Sequence, residues 1–289
     1  MPLDHLHAGR TKDLGGGFLV RRLLPAFPRQ GVGPFVFFDH FGPITVRPED
    51  NFDVRPHPHI GLATVTYLFE GAMLHRDSLG SVQRIEPGAI NWMTAGSGIV
   101  HSERRPPDLA DRPFTNHGLQ LWTALPRADE EAGPTFTHTS AEAIPAWSEG
   151  GNALRLLIGE AFGRRSPVAT FMPTLYLDVQ AQAGATLRLP ESLGERAVYS
   201  VDASVEVDGA PVPPHSMAFL ATDRDATIVA PAGARYVVIG GAPLDGARFM
   251  WWNFVSSSRE RIERAKDDWR AQRMGQVPGE TELIPLPEK

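Results

Sequence analysis

The chain has no cysteine among its 289 residues, so it can form no disulfide framework, no thiolate zinc site and no thiol nucleophile. It has no apolar run approaching the ~18 residues of a transmembrane helix. Its opening stretch, MPLDHLHAGRTKD, lacks the apolar segment of a secretory signal. It also has no surplus of positive charge: 28 Lys and Arg against 34 Asp and Glu leave a net charge of −6. A mildly acidic chain is a poor partner for a phosphate backbone, which needs a basic face. Gly15-Gly-Gly17 is not followed by the Gly-Lys-Ser/Thr of a phosphate loop, and no G-x-S-x-G nucleophile elbow occurs. The expectation is a cytoplasmic protein with neither a membrane nor a direct nucleic-acid partner.

What is present points to strands. Hydrophobic residues make up 42%, enough to bury a core, and the length suits one large domain or two of about 145 residues. Gly (28) and Pro (26) punctuate the chain densely, which fits many short strands and turns better than long helices. In GLATVTYLF (61–69), Val65, Tyr67 and Phe69 share one face and Thr64, Thr66 and Leu68 the other. Strands are also expected near 73–76, 82–85, 89–93, 99–103 and 118–125. After a break at 127–151 they resume near 154–158, 175–179, 186–189, 197–201 and 236–239. Tyr67-Leu-Phe-Glu-Gly71 has a faint echo in Tyr199-Ser-Val-Asp-Ala203, a hint of a duplicated β-domain. One segment differs. Ser257-Ser-Arg-Glu260 has capping-box spacing, and Ile262, Ala265 and Trp269 follow at i, i+3, i+7, predicting a helix over about 257–274. Beyond it comes a proline-rich, extended tail whose Leu283, Ile284 and Leu286 must pack on something.

Histidine carries the chemistry. Only two of the ten, His138 and His215, lie beyond residue 117, so a metal site has its material in the first half. In His57-Pro-His59 and His101-Ser-Glu103 the informative residues alternate, and alternate residues of a strand point to one side. If the two segments meet, three imidazoles and one carboxylate converge, a donor set that suits Fe, Mn, Ni, Cu or Zn. The plain alternative for a lone H-x-H is a surface pair. His5-x-His7, in a polar N-terminal stretch, reads as a mobile or adventitious binder. His75 reads as a surface or loop residue and His40 as a buried structural one. His117 and Gln120, on a strand with Trp122, are candidates to orient a ligand or substrate. Trp251-Trp252 reads as packing.

The long stretches HPHIGLATVTYLFEG (57–71) and EPGAINWMTAGSGIVHSE (86–103) resemble the pirin family of the cupin superfamily. FVFFDHFGP (35–43), HGLQLW (117–122), YLDV (176–179) and WNFVSSSRERI (252–262) extend the resemblance nearly end to end. It implies an all-β bicupin of two stacked, jelly-roll-like barrels: 1–134 as a metal-binding barrel, and 145–289 as a barrel without metal plus the helix and tail. It implies one metal, usually iron, on His57, His59, His101 and Glu103. It also implies a dioxygenase cleaving flavonols such as quercetin, with Glu103 as general base. The alternative within the family is a metal- or redox-responsive regulator that binds a protein partner without turnover. The sequence departs from many pirins at Ala63, where they carry Glu. That position is expected on the ligands' strand face, lining the site.

Overall fold

The computed structural model describes residues 3–288. Nearly every element in it is an antiparallel strand, with one α-helix among the described residues. The chain divides into two units. One gathers the N-terminal residues to Thr11, Arg21–Asp39 and Glu142–Leu244. The other gathers Lys12–Val20, His40–Ala141 and the chain from Asp245 onward. This differs from contiguous blocks 1–134 and 145–289 in three segments. The N-terminal residues, whose Leu3–Ala8 pairs with Ser216–Leu220, and Arg21–Asp39 both group with the second-half strands, and the C-terminal helix and tail belong with the first-half strands.

Strands build both units, in two seven-stranded and two four-stranded sheets. One larger sheet runs Thr135–Thr139, Ile90–Thr94, Leu62–Glu70, Phe114–Ala124, Phe35–Val46, Leu19–Leu24, Arg10–Asp13, and its first four strands belong to the histidine-rich unit. The smaller sheet of that unit runs Val54–His59, Ile99–Arg104, Met73–Asp77, Val82–Ile85. In the other unit the larger sheet runs Leu3–Ala8, Ser216–Leu220, Glu195–Ser200, Ala234–Gly241, Thr174–Ala181, Asn152–Ile158, Ala146–Glu149. Its smaller sheet runs Ala185–Leu189, Ala226–Ala230, Val205–Val207, Ala210–Val212. Tyr67 and Tyr199, the two ends of the faint sequence echo, lie on strands third in order in their sheets.

The unit without the histidine cluster fills its centre with aliphatic side chains, including Leu156, Leu177, Val198, Val205, Ile228 and Val238, all buried. Its Arg196 is buried as well, and its NH groups donate to the carbonyls of Leu189, Pro190, Ala221 and Arg224. Carbonyl acceptors thereby replace the water that the guanidinium has lost.

The helix spans Arg259–Arg270, shorter at both ends than the sequence suggests. Its cap is Ser258, whose side chain accepts from the Arg261 amide, and not Ser257. The reason lies in Glu130: both the amide and the hydroxyl of Ser257 donate to that buried carboxylate. Ile262, Ala265 and Trp269 form the buried face, as their spacing predicts. They pack with Ile60, Val100 and Phe254, joined by Leu283 and Leu286 of the tail. The hairpin Phe249–Trp251/Phe254–Ser256 leads into the helix, and Lys266 sits 4.1 Å over the Trp251 ring. Gly61 permits this docking. Its φ is +67°, and a Cβ there would lie 1.9 Å from the Val255 carbonyl oxygen. No helix of the described residues is long and apolar enough to cross a membrane.

Glu130 anchors the C-terminal segment. Arg248 Nε lies 2.6 Å from its Oε1, and the Arg248 side chain is 3% exposed. Removing one partner of such a pair strands a buried charge. Glu130→Ala should therefore lower unfolding stability by about 3 kcal/mol in urea titrations. A change below about 0.5 kcal/mol, the usual size for a surface substitution, would show that the anchor contributes little.

Candidate metal centre

Val54–His59 and Ile99–Arg104 lie side by side, with His101 opposite His57 and Ile99 opposite His59. Alternation along each strand sends His57, His59 and His101 to the inner face, while Ile60 and Val100 join the apolar cluster under the helix. The three imidazoles are buried, and one ring nitrogen of each falls within 4.8 Å of the others. His59 Nε2 and His101 Nε2 are 3.1 Å apart. Two nitrogens bound to one ion at a right angle, with bonds of about 2.1 Å, would be about 3.0 Å apart. The spacing therefore fits a shared cation.

Protonation agrees. Burial pushes the His57 pKa down to about 4, and the hydrogen bond to the Arg55 carbonyl recovers only part of that loss. His59 and His101 are held well below the ordinary histidine range by burial first, and by the neighbouring His57 second. The three are thus uncharged at neutral pH. A carbonyl can only accept, so the 2.8 Å contact to Arg55 puts the His57 proton on Nδ1 and leaves Nε2 a lone pair. Glu103 follows His101 by two residues. Burial pushes its carboxyl up to about 7. It lies outside the three-imidazole group as that group stands.

Other candidates fall in different places. His75 is not a surface residue: it is 5% exposed on Met73–Asp77, opposite Glu103, with its ring stacked 4.2 Å from Phe136. With no second histidine at i±2 it carried no H-x-H signal, although Asp77 two residues on was readable. Gln120 pairs with Thr66, whose hydroxyl donates to its Oε1. It shares a strand face with Trp122, whose ring lies 5.2 Å from His59. Ala63, paired with Thr123 and Thr94, lies on the opposite face, with Val65 and Leu121. The alternation that carries Trp122 and Gln120 toward the ligands turns Ala63 away from them. His117 pairs with buried His40, Nε2 to Nε2 at 2.7 Å. It stands five residues, roughly 16 Å of strand, from Trp122. His5 and His7 sit on the paired strand Leu3–Ala8, with His5 against Phe219, and are not a mobile arm.

The tail grips the outer side of the same two strands. Ser102 and Arg104 alternate with His101 and Glu103, and both donate to Glu280. The Ile284 amide donates to the Pro56 carbonyl at 2.8 Å, and its own carbonyl accepts from Trp269 Nε1 of the helix.

Two barrels on one strand frame, one of them with three buried, uncharged imidazoles converging, define a bicupin with a single candidate metal centre among the described residues. The Pirin family profile matches residues 17–123, and the Pirin C-terminal cupin domain matches residues 176–275. The chain is 46% identical to the pirin-like protein of Caulobacter vibrioides, over 99% of this chain and 100% of that one. It is 39% identical to a Pseudomonas aeruginosa protein provisionally named a quercetin 2,3-dioxygenase, over 90% of this chain and 81% of that one. Among solved structures it is similar to quercetin 2,3-dioxygenase from Acinetobacter baumannii, with a TM-score of 0.90 and 33% identity, over 99% and 96% of the two chains. This chain belongs to the pirin family.

The buried imidazoles make the metal-free protein sensitive to acid. A histidine whose folded pKa is depressed leaves stability intact above its unfolded value, near 6.5, and costs stability as pH falls from there toward the folded value. For His57 the drop from 6.5 to about 4 amounts to about 3 kcal/mol. Glu103, raised to about 7 from 4.5, works the other way, costing stability as pH rises from 4.5 to about 7. Between pH 4.5 and 6.5 three histidines oppose one carboxylate, so acidification destabilises. Urea midpoints of metal-free protein should fall from pH 7 to pH 5, and His101→Gln should flatten the slope by about one proton's worth. A midpoint that rises over that interval would overturn this account.

Proposed function

We propose that the protein is an iron-dependent dioxygenase of flavonols such as quercetin, holding its metal through His57, His59, His101 and Glu103 and working in the cytoplasm. The observation that carries this reading is the convergence of buried, uncharged imidazoles, two of them with Nε2 atoms 3.1 Å apart. Similarity over nearly the whole chain to a solved quercetin 2,3-dioxygenase supports the substrate class. Three imidazoles and a carboxylate suit iron, and also Mn, Ni, Cu or Zn. Iron is chosen on the family resemblance.

When bound, the metal supplies Lewis acidity toward a substrate oxygen and a one-electron partner for O2. The protein's own groups do the rest. The imidazoles contribute no charge, so Glu103 supplies the only anionic donor of the set. Released from the metal, the Glu103 carboxylate would be placed to take the proton of an enolic hydroxyl. Trp122, edge-on to His59, gives the site an apolar wall on which a flat ring can lie. Gln120 and Thr66, on the same inner face, offer hydrogen bonds to peripheral hydroxyls.

The test is O2 uptake with quercetin, by protein loaded anaerobically with Fe(II) and carrying no His-tag. Uptake with release of CO is expected in the parent. In His101→Ala, iron affinity should fall by more than the 10- to 100-fold typical of losing an outer-shell partner, and uptake should vanish. An iron-loaded parent that consumes no O2 with any flavonol would sink the dioxygenase reading and leave a metal-binding protein without turnover.

A further inference from the structure

Behind His101 a hydrogen-bond chain leads to a buried carboxylate. Asp77 is fully buried. Its Oδ1 accepts the amides of Leu79 at 2.9 Å and Ser81 at 3.0 Å. Its Oδ2 lies 3.0 Å from His75 Nε2. The other nitrogen of that ring, His75 Nδ1, lies 3.4 Å from His101 Nδ1. Stacking on Phe136, at 4.2 Å and 12° between planes, holds the His75 ring in its orientation.

The direction of the chain follows from what each atom can do. A carboxylate with two amides and an imidazole around it can only accept, so the single proton of a neutral His75 sits on Nε2. His75 Nδ1 is then an acceptor, and the proton facing it must come from His101 Nδ1. His101 Nε2 is left with its lone pair, turned toward His59 Nε2 at 3.1 Å. We propose that Asp77, acting through His75, is the positioning device of the metal centre: it fixes His101 in the Nδ1–H form, and so presents Nε2 to the metal. The proposal rests on the metal-centre reading above. It adds two residues that touch neither metal nor substrate. A carboxylate behind a ligating histidine orients the ring and raises its basicity; here the effect is passed through a second histidine.

Asp77→Asn makes the logic testable, because it should reverse the chain rather than cut it. The asparagine Oδ1 would go on accepting the Leu79 and Ser81 amides. Its NH2 would then face His75 Nε2 as a donor. His75 would have to accept there and carry its proton on Nδ1. His101 Nδ1 would have to accept in turn, and its proton would move to Nε2, the atom meant for the metal. His75→Phe keeps the stacking on Phe136 and only cuts the chain, leaving His101 free to take either form.

Two measurements follow, both on the full chain. Long-range 1H–15N correlation spectra of the metal-free protein report the tautomer. The parent and Asp77→Asn should show His101 protonated at Nδ1 and at Nε2 respectively. Chelator competition with Co(II) reports affinity. Asp77→Asn should weaken it by about 10- to 100-fold, and His75→Phe by less. A purely structural role predicts the opposite order, because His75→Phe deletes both hydrogen bonds and Asp77→Asn is nearly isosteric. An Nε2–H His101 in the parent overturns the proposal, even if Asp77→Asn fails to fold. So does equal or greater loss in His75→Phe. A parent that binds no Co(II) while showing the Nδ1–H form would instead count against the metal centre and leave the hydrogen-bond chain standing.

Discussion

Burying three uncharged imidazoles against one another is a poor way to fill a barrel, and much of the unit is arranged around that constraint. Each ring has been taken out of water without charge to repay it, and two of them turn Nε2 toward each other at 3.1 Å. Such an arrangement lowers stability in the metal-free chain and becomes favourable only with a cation between the nitrogens. The surrounding structure must therefore hold the rings in place by other means. Strand alternation provides them: residues that alternate with the inward histidines are held by the C-terminal segment. Ile60 and Val100 lie under the helix, and Ser102 and Arg104 are bound by Glu280.

The C-terminal segment is therefore part of the metal-binding unit rather than an appendage of the second barrel. Its three attachments are chemically distinct. Arg248 and Glu130 form a buried charged joint, the helix contributes an apolar face, and the tail adds backbone and carboxylate contacts to both ligand strands. The same attachments explain why the cap lies at Ser258: Ser257 was the better match to the capping-box pattern, but Glu130 had already claimed its hydroxyl.

What could be read from the sequence was local and periodic. H-x-H and H-x-E declare themselves because a period of two is the strand's own repeat, and the i, i+3, i+7 spacing of Ile262, Ala265 and Trp269 is the helix's. Turn residues between short apolar runs located most of the strands around the site. The misreadings share a different cause, since each depends on pairing across long separations. Leu3–Ala8 looked like a mobile arm because its partner, Ser216–Leu220, lies some two hundred residues away. His75 looked exposed because nothing near it in sequence shows that Phe136 will stack on it. Ala63 was expected on the ligand face, but Gly61 and the start of a new strand intervene, and the ladder to Thr94 and Thr123 puts it on the face with Val65 and Leu121, buried and turned away from Trp122 and Gln120.

The second barrel shows how few residues separate a site from a core. In the smaller sheet of each unit the first two strands in order are Val54–His59 with Ile99–Arg104, and Ala185–Leu189 with Ala226–Ala230. Where the first pair carries imidazoles, the second carries Ala185, Leu189, Ala226, Ile228 and Ala230, all within the aliphatic core. Aliphatic side chains there need no partner to aim them, and the α-helix and the tail belong to the other unit, with the histidine-bearing strands. The asymmetry between two equal frames thus follows from one substitution of chemistry: replacing self-sufficient apolar contacts with polar rings that must be aimed.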